Sequence, residues 1–531
     1  MPKSRLYLGE LLVKKGVISP KQLQEALEEQ KKAGLLGVIT ISPEALARLP
    51  AKAVNHYKAF PIKYENGVLT VAMSNTEISV LDDLSMIADA QIEPVLAEEK
   101  DVIEAIREYY GLGAETIEKM MSDTQMMTLD APAAEAIDKD SSEASMGQFL
   151  NQILFQAHRD AATDIHIEPF GNELRIRYRI DGVLYDAQVP ENIRYFQDAL
   201  ISRIKILSNL NIAEKRLPQD GRFKVRVENA DMDLRVSFLP TSYGESCVIR
   251  LLNTFRLYNF EELGIIGSQR QLLDSMINKP HGIVFLTGPT GSGKTTTLYS
   301  CLATVNAEDT KIITVEDPVE YQLKGVVQIQ ANTSIGLTFA TALRSILRND
   351  PDVIMIGEVR DFETAQIAIQ MSLTGHLVFS TLHTNDAPGA VTRMGNMGVE
   401  PFLITSTLHC VVAQRLLRRI CKNCKESYVA DPEILKEMGL EPTGEEVLLY
   451  KGKGCSSCSN TGYKGRMAIH EVLMLNEDFR KAVIQRKSAA DLKKVARDGG
   501  MQTLRECGVQ KVLKGMTSVE ELFRVAHEDE E

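Results

Sequence analysis

A glycine-rich stretch near the middle of the chain has the residue types and the spacing that bind phosphate. It reads GPTGSGKT and fits the phosphate-loop pattern G-x-x-x-x-G-K-[ST] at every fixed position. The glycines let backbone N–H groups turn toward a phosphate, the lysine reaches the β- and γ-phosphates, and the last hydroxyl binds Mg²⁺. The sequence therefore predicts a nucleoside triphosphate site, with Thr295 as a Mg²⁺ ligand, formed by Gly288, Pro289, Thr290, Gly291, Ser292, Gly293, Lys294, Thr295 and Thr296.

Carboxylates follow two later apolar runs. In IITVEDPVE the run ends in Glu316, Asp317 and Glu320, and in DVIMIGEVRD a second run ends in Glu358. Carboxylates at strand ends can hold Mg²⁺ or orient a water for in-line attack on the γ-phosphate. For IITVEDPVE, an acidic turn in solvent is the alternative interpretation. The second stretch resembles a Walker B element with a terminal glutamate, which makes Glu358 a candidate for the Mg²⁺ shell.

Basic side chains accompany these carboxylates. His376 and His383 bracket the apolar run of TGHLVFSTLHT, and Arg344 and Arg348 lie four residues apart on one helix face. A lone histidine is most often structural, but two that flank one central strand can sense a γ-phosphate from its polar ends. Arginines just before the second apolar run suit phosphate contacts. All four therefore join the candidate nucleotide site.

Four of the eight cysteines form two C-x-x-C pairs, Cys421 with Cys424 and Cys455 with Cys458. Four thiolates in this spacing suit tetrahedral Zn²⁺, while redox dithiols or plain buried thiols are the alternatives. We predict a zinc site, with the residues between the pairs forming a small helical insertion. The basic residues beside it are interpreted as a solvated face, with a partner or lipid surface as the alternative; they are Arg415, Arg418, Arg419 and Lys422.

A chain of 531 residues is long enough for several domains, since single cores rarely grow beyond about 250 to 300 residues. Alternating patterns predict α+β domains before the phosphate-loop domain, and an acidic segment without aromatic residues predicts a flexible linker between them. The predicted segments are an N-terminal docking domain at 1–111, the linker at 112–145, a second α+β domain at 146–259, the phosphate-loop core at 260–413, the tetracysteine insertion at 414–465 and a C-terminal helical region at 466–531.

Charge and hydropathy restrict the possible function. A formal net charge of −12 argues against wholesale binding to nucleic acid, because proteins that follow a phosphate backbone usually carry a basic face. No apolar run approaches the roughly 18 to 20 residues that cross a bilayer, and residues 1–9 lack the apolar centre of a secretory signal. We therefore expect a cytoplasmic protein.

The order of the motifs resembles one family. GPTGSGKTT, ITVEDPVEY, LRSILRNDPDVIMIGEVRD and TGHLVFSTLHTND, preceded by DIHIEP, RIDG and LPQDGR, resemble the secretion ATPases of type II secretion and type IV pilus assembly. The resemblance implies an α/β fold: a RecA-like phosphate-loop ATPase domain, preceded by a PAS-like α+β domain and a small N-terminal α+β domain, with a zinc-binding insertion. It also implies a homohexamer that hydrolyses ATP.

The same resemblance assigns roles to individual residues. Glu358 would organise Mg²⁺, and Glu320 would act as general base or position the attacking water. Arg235 and Arg250, from the second domain, would reach the γ-phosphate, with Arg344 and Arg348 nearby. The tetracysteine set agrees with the assembly ATPases of this family.

The resemblance further implies a place at the inner membrane, with a platform protein and a membrane-anchored docking protein as partners. Some relatives bind cyclic di-GMP through two tandem motifs that begin RLG. Here Tyr7 replaces the arginine of the first, and no second copy follows. The sequence therefore favours docking over cyclic di-GMP binding. Type II secretion, pilus assembly and a competence pseudopilus stay open, and the rivals from other classes are a conjugation-type nucleic-acid motor and a regulatory nucleotide sensor.

Overall fold

The computed structural model describes residues 41–111, 113–114, 116–117, 139–227, 230–252, 257–441 and 446–526. The chain divides into two compact units, Met1–Thr254 and Phe255–Glu531. Residues 1–40 of the predicted docking domain and most of the predicted linker lie outside the described residues. Among the described residues, no helix combines the length and the apolar character that crossing a bilayer requires.

The first unit begins with a three-stranded sheet in the order β1-β2-β3. Its strands are β1 (Ala59–Glu65), β2 (Val68–Met73) and β3 (Gln91–Leu96), and its helices are α1 (Pro43–Arg48), α2 (Ala51–Tyr57), α3 (Ile78–Ala88) and α4 (Glu99–Tyr110). Asn66 and Gly67 have positive φ angles of 51° and 82°. This geometry suits a two-residue hairpin turn and explains why β1 and β2 are antiparallel.

The rest of the first unit is a six-stranded antiparallel sheet in the order β6-β5-β4-β9-β8-β7. Its strands are β4 (Ala162–Phe170), β5 (Glu173–Ile180), β6 (Val183–Asp186), β7 (Gln219–Val227), β8 (Ala230–Thr241) and β9 (Gly244–Leu252), accompanied by α5 (Lys139–Arg159) and α6 (Gln197–Leu207). In β5 the apolar Leu174, Ile176 and Tyr178 are buried, while Arg175 and Arg177 alternate with them. This period of two places one face of the sheet on the core.

The second unit contains a seven-stranded sheet in the order β12-β11-β13-β14-β10-β15-β18. The first six strands are parallel, and β18 is antiparallel to β15. The strands are β10 (Gly282–Thr287), β11 (Ile312–Glu316), β12 (Val326–Gln330), β13 (Val353–Ile356), β14 (Leu377–Leu382), β15 (Leu408–Ile420) and β18 (Tyr463–Met474). Residues 283 and 285 enter one apolar core, and residues 284 and 286 enter another. Both faces of the sheet are therefore covered, which is why its strands read as continuous apolar runs.

Helices of the second unit connect and follow these strands. They are α7 (Ser268–Ile277), α8 (Lys294–Val305), α9 (Phe339–Ile346), α10 (Phe362–Leu373), α11 (Ala387–Asn396), α12 (Pro401–Thr407), α13 (Pro432–Glu437), α14 (Glu477–Ile484), α15 (Ala489–Asp498), α16 (Leu504–Leu513) and α17 (Val519–Val525). Parallel strands joined in this way end at one common edge of the sheet. That edge collects the polar residues that follow each strand.

Two predicted domain boundaries fall inside strands of this sheet. The boundary at 413/414 cuts β15, and the boundary at 465/466 cuts β18. These strands pair over most of their length, so arginines that break the apolar run still lie within a continuous ladder. The chain between them forms α13 and a two-stranded sheet of β16 (Lys425–Val429) and β17 (Leu448–Gly452). The insertion is therefore part strand and not the purely helical one that we expected.

Candidate functional site

The glycine-rich stretch connects the carboxyl end of β10 to the first turn of α8, the strand–loop–helix context that a phosphate loop needs. Gly288, Gly291 and Gly293 have φ angles of 148°, 78° and 85°. A Cβ atom on Gly288 would lie 2.6 Å from the Gln414 carbonyl oxygen. Glycine is required there because β15 backbone packs directly against the loop.

Lys294, the first residue of α8, is buried with its ammonium in the loop. Its Nζ donates to the carbonyl oxygens of Gly288 at 2.7 Å and Pro289 at 3.1 Å. Burial lowers the pKa of Lys294 to about 8, opposed by the Glu358 carboxylate and reinforced by the Arg415 guanidinium. A phosphate would offer this ammonium full negative charge in place of two carbonyl dipoles.

Glu358 follows β13 at the same edge of the sheet. Its carboxylate forms an ion pair with Arg360, and one of its oxygens lies 3.4 Å from Nε2 of His383. His383 follows β14, the strand between β13 and β10. The structure thus brings Lys294, Glu358 and His383 to one edge of the sheet, as a Mg²⁺-nucleotide site requires.

His376 lies at the opposite edge. It precedes β14, whereas His383 follows it, and a six-residue strand is about 20 Å long. Its Nδ1 lies 2.9 Å from the Met371 carbonyl oxygen and 3.1 Å from the Thr374 hydroxyl. The structure therefore places the two histidines at opposite ends of β14, and a role for His376 in sensing the γ-phosphate stays a prediction.

The acidic residues at and after the end of β11 are of two kinds, buried and exposed. Glu316 is buried and accepts hydrogen bonds from Tyr299, from the Thr314 hydroxyl at 2.5 Å and from the Gln328 amide at 3.1 Å. Burial and this carboxylate together raise the pKa of Tyr299. Glu320 is exposed in the loop that follows. It is the better placed of these two carboxylates to meet a water or a metal ion.

Arg344 and Arg348 contact their own surroundings. Arg344 forms an ion pair with Glu363 in the first turn of α10. Arg348 donates to the carbonyl oxygen of Arg344 at 2.9 Å and to the Ser345 hydroxyl at 3.3 Å. No described contact joins either arginine to the phosphate loop, so their role in nucleotide binding stays a prediction.

A row of basic residues crosses the six-stranded sheet of the first unit. Arg235 of β8 lies in register with Arg250 of β9 on one side and with Arg222 of β7 on the other. Arg250 also donates to Asp164 at 3.0 Å. Like charges directly opposite each other in a sheet are destabilising, which favours an anion as their partner. Arg222 ends the motif LPQDGR but was not among the residues predicted from the sequence.

The interpretation of the basic residues near the cysteines as a solvated face is wrong for two of them. Arg415 donates to the Asn385 carbonyl oxygen at 2.8 Å, and its guanidinium would lie 3.0 Å from a Cβ atom on Gly288. It therefore lies beside the phosphate loop. Arg418 pairs with the buried Glu521 at 2.8 Å. Both arginines lie within β15, which pairs with β18. The sequence could have indicated this strand, but the arginines interrupt its apolar run and hide the pattern.

The four paired cysteines come together where β15 ends and β18 begins. All four Sγ atoms lie within 4.8 Å of one another, with separations of 3.8 Å for Cys421 to Cys455, 3.8 Å for Cys424 to Cys458 and 3.7 Å for Cys455 to Cys458. Tetrahedral zinc with Zn–S bonds of about 2.3 Å requires separations of about 3.8 Å between its sulfur ligands. The donor set therefore fits Zn²⁺.

Glycines allow the close turns of this cluster. A Cβ atom on Gly452 would lie 2.1 Å from the Gly462 carbonyl oxygen, and one on Gly454 would lie 2.7 Å from that of Asn460. Burial raises the pKa of Cys458, but hydrogen bonds from the amides of Cys455 and Gly462 and from neighbouring thiols bring it down to about 7. Such amides stabilise a thiolate, which is the form that binds metal.

The family model described as Type II/IV secretion system protein matches residues 139–524, nearly three quarters of the chain. The chain belongs to the type II/IV secretion system protein family. This confirms the resemblance drawn from the sequence motifs. A second family model, the MshEN domain, matches residues 35–116.

Relatives match almost the whole chain. The type IV pilus assembly ATPase PilB of Myxococcus xanthus is 40% identical over 97% of this chain and 98% of its own length. The type II secretion system protein E of Xanthomonas campestris pv. campestris is 41% identical over 99% of this chain and 94% of its own. Among solved structures, the ATPase DotB of Legionella pneumophila has a TM-score of 0.52 at 21% identity, covering 74% of this chain and 96% of its own, which shows a shared α/β ATPase fold.

Proposed function

We propose that this protein is an ATP hydrolase that powers assembly of a type II secretion pseudopilus or a type IV pilus at the inner membrane. The observation that carries the proposal is the convergence of Lys294, Glu358 and His383 at one sheet edge of a chain from this family. Relatives named as ATPases of both systems match nearly its full length.

The proposed mechanism assigns binding and positioning to residues of both units. The loop amides and Lys294 hold the phosphates of ATP, and Thr295 and Glu358 supply ligands to Mg²⁺, which neutralises charge on the β- and γ-phosphates when bound. Glu320 orients the attacking water. Arg222, Arg235 and Arg250 form the basic row that would stabilise charge on the γ-phosphate, and His383 holds the Glu358 carboxylate.

Zn²⁺ belongs to the proposal as a structural ion. The separations among Cys421, Cys424, Cys455 and Cys458 support it, and four protein ligands leave no open position for chemistry. Its binding would hold the insertion to the end of β15 and β18.

The assembly and the partners are proposed from the family. We expect a homohexamer, with the six-stranded domain as its PAS-like element and the seven-stranded one as its RecA-like element. Docking on a membrane-anchored protein and a platform protein would place it in the cytoplasm, peripheral to the inner membrane. The sequence favours docking over cyclic di-GMP binding, whereas an MshEN model matches residues 35–116. The motif at Tyr7 lies outside the described residues. Titration of the protein with cyclic di-GMP is therefore the direct test between these two roles.

The test of the proposed function replaces Glu358 by Gln in the native bacterium and scores surface filaments and secreted proteins together. Loss of filaments alone assigns the protein to pilus assembly, and loss of secreted proteins alone assigns it to type II secretion. The purified variant should keep ATP binding and lose at least about 100-fold in hydrolysis. If neither filaments nor secretion changed, the proposed function would be wrong.

A further inference from the structure

Gln414 lies beside the phosphate loop on a neighbouring strand. In the parallel pairing of β10 with β15, Thr287 is in register with Ala413, so Gln414 stands next to Gly288. On its other side Gln414 is in register with His470 of β18. The residue is fully enclosed, with only 1% of its surface exposed.

The side-chain amide of Gln414 contacts both the loop and the helix that follows it. Its Nε2 donates to the carbonyl oxygen of Ser292 at 2.8 Å, and its Oε1 accepts from the Thr297 hydroxyl at 2.8 Å. A Cβ atom on Gly293 would lie 2.9 Å from Nε2. The last glycine of the phosphate-loop pattern thus leaves room for this amide.

The Ser292 carbonyl fixes which way the amide of Gln414 faces. A carbonyl oxygen can only accept, so the amide nitrogen must face Ser292 and Oε1 must face Thr297 and His470. Nε2 of His470 lies 3.2 Å from Oε1 and therefore carries the proton of that ring. Burial lowers the pKa of His470 to about 3, with the Lys511 charge adding to the effect, and the ring is therefore neutral at neutral pH.

The hydrogen bond to Ser292 has a consequence for the next peptide group. The bond between Ser292 and Gly293 is trans, so the carbonyl of Ser292 and the N–H of Gly293 point in opposite directions. Holding the carbonyl against Gln414 therefore turns the Gly293 N–H away from β15. Phosphate loops bind their ligand through N–H groups turned in this way.

We infer that Gln414 is a positioning residue of the nucleotide site, whose amide orients the Ser292–Gly293 peptide so that the Gly293 N–H donates to a phosphate of ATP. The inference rests on the proposed ATPase function and adds a residue to it. Gln414 does not touch the nucleotide and acts only through the loop.

The test uses the full-length protein and two variants. Gln414→Met keeps the size and removes both hydrogen bonds, and Gln414→Glu keeps the acceptor but cannot donate to Ser292 when ionised. Thr517→Val is the matched control, because the buried Thr517 hydroxyl donates to the Arg418 carbonyl of the same strand at 2.8 Å, away from the loop. KM, kcat, the dissociation constant of Mg-ATP and the melting temperature are measured for each.

Both Gln414 variants should raise KM and the dissociation constant about ten-fold or more, with a smaller change in kcat, because a charge-assisted hydrogen bond present in ground state and transition state is weakened. Thr517→Val should lower the melting temperature without this change. The Glu variant decides if the Met variant does not fold. If wild type hydrolyses ATP and both variants match Thr517→Val in KM, the inference alone is overturned. A wild-type protein that does not bind ATP would overturn the proposed function as well.

Discussion

Lys294 shows how a single residue can be held where its charge is costly. Its ammonium is enclosed by the loop and satisfied by two carbonyl oxygens, and burial lowers its pKa to about 8. In free protein the lysine therefore loses its proton about 2.5 pH units below the ordinary lysine value of 10.5. A phosphate reverses this effect because it stabilises the charged form.

ATP affinity should therefore fall as the pH rises above about 8. Below that pH the free protein already carries the proton that the complex needs; above it, binding must take up a proton, which weakens the affinity. Calorimetric titration between pH 7 and pH 9.5 measures the dissociation constant and the proton uptake. Lys294→Arg is the control, since its guanidinium stays charged and its affinity should not change over this range. A flat profile in wild type would contradict the assignment.

Glu471 is the second residue whose ionisation depends on its surroundings. It lies in β18, is buried, and accepts from the Ala387 amide at 2.7 Å at the start of α11. Burial raises its pKa to about 7, and the Ala387 amide only partly opposes this. The folded state therefore holds a proton that the unfolded state loses near pH 4.5.

Stability should fall as the pH rises from 4.5 to about 7, and Glu471→Gln should remove this part of the pH dependence. The shift corresponds to about 3 kcal/mol of unfolding free energy, lost progressively over that range. Urea unfolding at pH 5 and pH 8 measures it. Glu400→Gln is the control, because Glu400 is exposed and pairs with Arg486 on the surface at 3.1 Å. If the unfolding free energy changed equally between pH 5 and pH 8 in wild type and Glu471→Gln, the prediction would be wrong.

At the scale of elements, the direction of the strands decides which residues lie together at the phosphate-loop edge of the sheet. The phosphate loop, Glu358 and His383 could be predicted because each follows an apolar run, and parallel strands end together. His376 precedes its run, and the same rule would have placed it at the far edge. Glu316 and Glu320 could not be separated from sequence alone, because burial of Glu316 depends on Tyr299 and Gln328 from other elements.

The antiparallel pair of β15 and β18 was the least predictable element. Arginines interrupt its apolar residues at irregular spacing, and nothing local indicates that Arg418 meets the buried Glu521 or that Arg415 meets the phosphate loop. Both contacts join residues far apart in sequence. The tetracysteine cluster at the end of this strand pair was predictable, because the spacing of two C-x-x-C pairs is enough to indicate a metal site.

Gly452→Ala should loosen the proposed zinc site. Its Cβ atom would meet the Gly462 carbonyl at 2.1 Å, and backbone must move to relieve the clash. We expect zinc to be lost to a chelator at least about ten-fold faster, with a lower melting temperature, because metal binding is coupled to folding. Gly395→Ala is the control, since Gly395 lies within α11 and no atom lies within 4 Å of a Cβ there. Atomic emission measures the zinc that each variant keeps after chelation. Equal zinc contents in the two variants would contradict the prediction.

At the scale of the whole molecule, the two compact units each have their own apolar cores. The cores around the seven-stranded sheet are built entirely from residues after 259, and the core of the six-stranded sheet from residues before 252. The residues proposed to bind nucleotide lie in the second unit, whereas Arg222, Arg235 and Arg250 of the proposed basic row lie in the first. Binding and hydrolysis should therefore be separable.

A fragment of residues 255–531 should bind Mg-ATP within about ten-fold of the full chain and hydrolyse it at least about 10³-fold more slowly, as expected for loss of arginines that stabilise the transition state. The full-length double variant Arg235→Ala, Arg250→Ala should show the same division between binding and turnover. Full hydrolysis by the fragment would exclude a role for the basic row.

The strand order of the seven-stranded sheet also sets when the nucleotide site can form during synthesis. The phosphate loop follows β10, yet the partner that holds Thr287 lies 95 residues later and the amide that holds Ser292 lies 122 residues later. At about 5 to 20 residues per second, a ribosome needs roughly 6 to 24 seconds to make that length. For most of this interval β10, a largely apolar strand, has neither of its neighbours β14 and β15. Because the amide that holds Ser292 arrives only with β15, ATP should not stabilise the nascent chain before then, and the apolar β10 should be open to aggregation for most of that time.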